Sequence, residues 1–179
     1  MIQRKAILLA IVLLPIILFA QETKPRLSPL AMSTARYKDA YLKITYSQPS
    51  KNGKEIFGSL VPFGEIWKTG DNEATEVTIT RDVLINGIIL KAGTYSIFSI
   101  PNTGSWTIVI NGDLGLWGSY NYNQKTDVLR FDVPAQPLTG VVYESFTITV
   151  DQKNDKAEIA LLWDKTKVSF NVQFNEPKP

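Results

Sequence analysis

Apolar and polar residues alternate along most of this chain in short runs, the period of a strand with one face buried. Leu42, Ile44 and Tyr46 fall on one side of the segment 41–46. The segment 76–80 alternates again, and in 127–133 Leu129, Phe131 and Val133 oppose Val128, Arg130 and Asp132. Phe146, Ile148 and Val150 mark a further strand before the polar run 151–156. Residues 157–163 lead to a last strand in which Val168, Phe170, Val172 and Phe174 alternate strictly with Lys167, Ser169, Asn171 and Gln173. That strand should have one buried and one wet face. Residues 106–110 are apolar on both faces, which predicts a central strand. Trp106 and Trp163 fall on strand patterns and are expected in the core.

The breaks between these runs carry turn chemistry. Asn86-Gly87 separates two apolar triplets, the strongest short hairpin signal, because a type I′ turn needs positive φ at both central positions. Pro101-Asn-Thr-Gly104 separates a second pair, and Gln48-Pro-Ser-Lys-Asn-Gly53 is a polar turn. No amphipathic helix competes with this reading. Short strands with turns about every 8–12 residues predict an all-β, single-domain antiparallel β-sandwich, jelly-roll-like or immunoglobulin-like, of about nine strands. The sandwich is expected over residues 36–175, after an irregular lead-in at 21–35 that holds Pro25 and Pro29, and before a polar tail at 176–179.

The first 20 residues break the pattern. Arg4 and Lys5 precede an almost purely apolar run over 6–19, and Ala20 is a small residue before a polar stretch. This is the three-part form of a secretory signal peptide. The apolar run is shorter than the roughly 20 residues of a spanning helix, so export to the periplasm or beyond is expected, with no stable membrane anchor.

Loss of Arg4 and Lys5 from 19 basic residues leaves 17 against 17 acidic ones. A net charge of zero offers no surface for nucleic acid. The chain has no Cys and no His, which excludes disulfides, lipid attachment through Cys, Ser-His-Asp and Cys-His catalysis, and His/Cys zinc sites. Calcium ligation through Asp71, Asn72, Glu73 or Asp113 lacks the EF-hand spacing, and no metal or cofactor is expected.

Candidate chemistry concentrates in Gly64-Glu-Ile-Trp-Lys-Thr-Gly-Asp-Asn-Glu-Ala-Thr75. Trp67, Lys68, Asp71, Asn72 and Glu73 form the candidate binding set. Lys68 suits an anionic or carbonyl group, and the two acids suit hydroxyls. The competing reading is an Asx-type turn at 69–72 with Lys68 and Glu73 as its solvated flanks. Arg130 is either a further member or half of a structural ion pair. The segment 113–122 is rich in Gly and aromatic residues, and its Trp117, Tyr120 and Tyr122 suit either sugar stacking or coverage of one end of the core.

Several spaced motifs occur in a shared order: Phe57-Gly58, the segment 61–75, Ala92-Gly-Thr-Tyr-Ser-Ile-Phe-Ser-Ile-Pro101, Trp106-Thr107 and Asp127-Val-Leu-Arg130. Together they resemble the domain-of-unknown-function-2911 family of exported bacterial proteins. The resemblance covers roughly residues 27–174 and implies an exported domain without an established activity, so it adds no catalytic residue. Lys68 stands where the family pattern has Arg, and Asp71 where it has Ala; Lys54 reads as a similar replacement. Lys keeps the charge but not the planar fork of Arg.

Three functions fit this inventory. The first is a non-enzymatic exported module that binds a glycan, a peptide or an envelope protein through the loops at 67–73 and 117–122. The second is a carboxylate-dependent hydrolase acting on glycans, with Asp71 and Glu73 as its pair. The third is a purely structural envelope protein.

Overall fold

Extended strands supply nearly all the regular structure of the computed structural model, which describes residues 25–174. The expected signal at 1–20 and the tail at 176–179 lie outside the described residues. The strands are β1 (Leu30–Tyr37), β2 (Ala40–Ser47), β3 (Thr75–Ile79), β4 (Val83–Ile85), β5 (Ile88–Leu90), β6 (Gly93–Ile100), β7 (Ser105–Asn111), β8 (Asp127–Pro137), β9 (Tyr143–Lys153), β10 (Lys156–Asp164) and β11 (Thr166–Phe174). All neighbours pair antiparallel, in the order β1-β2-β3-β6-β7-β8-β11-β10-β9, and the β4–β5 hairpin branches off β11. Asn86 and Gly87 both take positive φ, as a tight turn between β4 and β5 requires.

The all-β antiparallel expectation holds, but the sandwich does not: the 11 strands form one sheet that nearly closes into a barrel. The reason lies in β8. Its residues from Asp127 to Pro134 pair with β7, and its last three, Ala135, Gln136 and Pro137, pair with β11. One long strand thus joins two halves that a sandwich would keep apart. The irregular lead-in is a second correction, because Leu30–Tyr37 pairs in register with the whole of β2. Its inward positions include the small residues Ala31, Ser33 and Ala35, while Leu30 and Met32 point outward, so the strand lacks the usual apolar alternation.

The edge strands β1 and β9 meet without a regular ladder, and side chains seal the seam. The Ile148 N–H donates to the Tyr46 hydroxyl at 3.0 Å, and the Ser33 hydroxyl donates to the Ile148 carbonyl. Gln152 spans the seam further along, accepting from the Arg36 N–H at 3.0 Å and donating to the Arg36 carbonyl at 2.8 Å. At the other end the backbone takes over, with Phe146 N–H donating to Pro49 at 2.9 Å and Lys51 N–H to Glu144 at 2.7 Å.

The interior is filled rather than hollow. Leu42 and Ile44, Ile108 and Ile110, and Val168 and Val172 are fully buried, as their alternation requires. At one end aromatic rings interlock. Trp67 stacks on Trp163 with centroids 5.9 Å apart and meets Trp106, Phe146 and Phe57 edge-on at 6.0, 5.1 and 6.1 Å. Such edge-to-face and offset pairs add stabilisation beyond area burial. Strands β6 and β7 are buried on both faces, since Phe98 and Val109 lie in a smaller outer cluster with Ala74. Trp106 and Trp163 are core residues, as expected.

Replacing Tyr46 by Phe keeps its edge contact with Phe146 but leaves the buried Ile148 N–H without its acceptor. We expect a loss of about 1–3 kcal/mol in denaturant unfolding; an unchanged midpoint would mean that the seam does not depend on this bond.

Candidate functional site

The polar segment is an excursion from one strand edge. Trp67 exchanges two backbone hydrogen bonds with Ser99 of β6, at 2.8 and 2.9 Å, and Thr75 pairs with Ile97 of the same strand. Between these anchors residues 68–74 loop outward, and the Thr75 N–H closes the loop by donating to the Lys68 carbonyl at 3.1 Å.

At the root of the loop Thr69 is fully buried with φ +54°. A β-branched residue in the left-handed region is an outlier that costs on the order of 1–3 kcal/mol. Buried hydrogen bonds hold it there. The Thr75 hydroxyl donates to the Thr69 carbonyl at 2.6 Å, the Thr69 and Ser99 hydroxyls share a bond of 2.9 Å, and Trp67 Nε1–H donates to the Gly70 carbonyl at 3.0 Å. Gly70 is required by close approach, because a Cβ there would sit 2.9 Å from the Ser47 carbonyl oxygen.

The strained turn sends Lys68 and Asp71 toward solvent together, their charges 3.2 Å apart. Asp71 also accepts from the Ser28 hydroxyl at 2.7 Å. Burial alone would raise the Asp71 pKa; the Ser28 hydroxyl, the Asn72 N–H and Lys68 outweigh it and hold the carboxyl below its ordinary value. Glu73 follows the same logic. Burial raises it, and the Arg26 guanidinium, its own backbone N–H and the Ser47 hydroxyl bring it below the ordinary range. Arg26 and Ser28 come from the stretch before β1, which crosses the polar loop as a strap; Leu27 between them is 98% exposed.

Lys68, Asp71 and Ser28 line an open cavity of about 320 Å³ at the aromatic end of the barrel. The buried Trp67 and Trp163 contribute its apolar floor, and Asn52 and Lys54 also line it. Glu73 does not line it; it opens instead onto a separate depression with Ser47 and Glu76.

The aromatic loop lies beside the polar one. Glu73 bridges to Trp117, the Ala74 N–H donates to Leu116 and the Gly118 N–H donates to Asn72, both at 2.9 Å. Leu116 and Tyr122 help to cover Phe98 and Val109, whereas Trp117 and Tyr120 remain 60% and 89% exposed. Coverage of the core thus holds for Tyr122, whereas Trp117 and Tyr120 do not take part in it.

Arg130 joins neither Asp71 nor Glu73. Its guanidinium donates to the Tyr122 hydroxyl at 3.2 Å and lies 3.6 Å from Asp127. The Tyr122 hydroxyl donates to Asp127 at 2.7 Å, and buried Asn111 donates to the same carboxylate at 2.9 Å. Burial, the bond to Asp127 and its negative charge push the Tyr122 phenol up to about 12. This group locks the base of the aromatic loop. Of the eight expected site residues, the fold gathers Trp67, Lys68 and Asp71 at the cavity, places Asn72, Glu73 and Trp117 along the neighbouring loop contact, leaves Tyr120 exposed further along the aromatic loop, and sets Arg130 apart. The expectation missed Ser28 and Asn52 as cavity residues. Nothing local marks either one, since Ser28 sits in a Pro-containing lead-in and Asn52 in a turn.

Two expectations follow. Gly70→Ala should lose about 1–3 kcal/mol by denaturant unfolding, because the added methyl meets backbone rather than a flexible side chain; an unaffected variant would show that the turn can relax. Asp71 and Glu73 carry folded-state pKa values below their unfolded ones, so the unfolded chain binds more protons in acid. Their stabilisation is fully present above the unfolded values of about 4 and is lost as pH falls through the folded values. In Lys68→Met the Asp71 share should disappear at higher pH than in the parent. Thermal midpoints recorded across the acid range check this, and coincident profiles would contradict it.

A family model described as "Protein of unknown function (DUF2911)" matches residues 28–172. Comparison with curated proteins and with solved structures returns no match. The family match runs from the strap residue Ser28 into the last strand and spans most of the chain, so this protein belongs to the DUF2911 family.

Proposed function

We propose that this protein is an exported binding module without catalysis of its own, whose ligand enters the cavity beside Lys68 and Asp71. The observation that carries the reading is the strained turn at Thr69. Strain of this kind persists where the surrounding structure over-determines it, and it clusters at ligand sites. Here it turns an adjacent cation and anion into one open cavity with an aromatic floor, where apolar surface can hold a ligand and polar groups can fix its orientation. Export rests on the leader pattern at 1–20.

The hydrolase reading has less support. Its acid must stay protonated near neutral pH, whereas Asp71 and Glu73 both have lowered pKa values and open onto different depressions. The structural reading accounts for one half of the loop. Thr69, Gly70 and Thr75 are bound inward and hold the turn; Lys68 and Asp71 are the half turned toward the cavity.

The test is calorimetric titration with a panel of oligosaccharides, short peptides and isolated envelope proteins, against the parent and Lys68→Ala/Asp71→Ala. Binding by the parent should weaken at least about fivefold in the double variant, measured at a temperature where that variant is folded, its midpoint lowered only by the Asp71 share described above. Silence across the panel, or binding indifferent to both residues, would overturn the proposal.

A further inference from the structure

The charges around the cavity are unequal in number and in engagement. Its lining holds two cations, Lys54 and Lys68, and one anion, Asp71. Asp71 is well supplied with donors. The Ser28 hydroxyl and the Asn72 N–H already serve it, so the Lys68 contact at 3.2 Å is one of several. Lys68 can therefore turn part of its charge to a second acceptor without leaving Asp71 bare. Lys51, between the lining residues Ser50 and Asn52, is committed to Asp164. Among the described residues the exposed Lys54 ammonium has no hydrogen-bond or ion-pair partner. Asn52, which also lines the cavity, carries an amide N–H donor.

We infer that the cavity takes a ligand carboxylate, held between Lys54 and Lys68, with the rest of the ligand lying over the Trp67–Trp163 floor. The inference rests on the cavity being the binding site, as proposed above. A carboxylate fits this donor set because it is planar, accepts through two oxygens and can meet two ammonium groups at once. Asp71 then acts as a positioning residue: it holds Lys68 at the rim and does not touch the ligand. Its presence also sets a limit on charge. One excess cation in the lining matches a ligand bearing a single negative charge there and disfavours a dianionic phosphate.

A carboxylate can come from a uronic-acid sugar or from the C-terminus of a peptide, and the test separates the two. The purified protein is titrated calorimetrically with two matched pairs. One pair is an oligogalacturonate and its methyl ester; the other is a short peptide with a free C-terminus and its amide. At least one acid should bind at least about tenfold more tightly than its uncharged twin, and which pair responds identifies the source. Lys54→Gln and Lys68→Gln should each weaken that acid about fivefold to tenfold and leave the uncharged twin unchanged. Lys54→Gln should unfold like the parent, since its side chain is exposed; Lys68→Gln should lose only the contribution of its contact with Asp71 and stay folded at the titration temperature. Affinity for the acid should also fall with added salt. Equal binding of acid and twin overturns the carboxylate inference, as do lysine variants that bind the acid like the parent; the Lys68→Ala/Asp71→Ala titration above then decides separately whether the cavity is the binding site. Silence of both pairs overturns the inference as well; binding elsewhere in the wider panel, sensitive to Lys68 and Asp71, would then show that the site itself survives.

Discussion

The indole of Trp67 ties the interior of this protein to its polar surface. Its ring closes the aromatic end of the barrel by stacking on Trp163 and abutting Trp106, Phe146 and Phe57. Its backbone is pinned to Ser99 by two hydrogen bonds, and its Nε1–H reaches forward to the Gly70 carbonyl. A loop leaving such an anchor has its first residues determined by the core. The burial of a large ring and the satisfaction of its one polar atom are achieved together, so the direction in which Lys68 and Asp71 emerge is coupled to core packing.

The cost of that arrangement is local. Thr69 adopts a backbone conformation that its branched side chain disfavours, and three buried hydroxyls from Thr69, Thr75 and Ser99 offset the strain by binding one another and the turn carbonyls. In a water-excluded place such bonds are hard to give up, because each group left unpaired pays its full desolvation. The turn is therefore rigid. Its rigidity matters for a binding site, since groups already held in place lose little freedom when a ligand arrives. The strap carrying Arg26 and Ser28 adds the outer layer, giving each carboxylate of the loop a partner from a distant part of the chain.

Barrel closure depends on a different device. Strands β1 and β9 do not ladder along their length; Tyr46, Ser33 and Gln152 supply the missing donors and acceptors. A sheet edge left bare is a template for unwanted pairing, and here side chains occupy it. The seam and the cavity meet at the turn 49–52, where Pro49 and Lys51 bond to β9 while Ser50 and Asn52 line the cavity. The same turn thus closes the barrel and walls the proposed site.

Much of the fold was legible in the order of side chains. Strict alternation in β11, the doubly apolar β7 and the Asn86-Gly87 turn each follow from the two-residue period of a strand or from the φ its turn demands, both local properties. So is the choice of the segment holding Lys68 and Asp71, which no core strand would tolerate. Strand β1 escaped because its inward Ala31, Ser33 and Ala35 are small and its outward Leu30 and Met32 apolar, which inverts the usual signal over most of its length. Whether the strands would stack as two sheets or curl into one depended on β8 changing partners at Ala135, and alternation is the same whichever neighbour a strand pairs with. Likewise no local pattern could bring Ser28, Lys54 and Lys68 around one cavity or send Arg130 to Tyr122 and Asp127. The sequence by itself determined which residues face inward and which segment is polar, because burial follows from each side chain's own chemistry. Only the tertiary structure decided which polar groups meet, because that depends on strand order and closure, which place residues far apart in the chain within hydrogen-bonding distance.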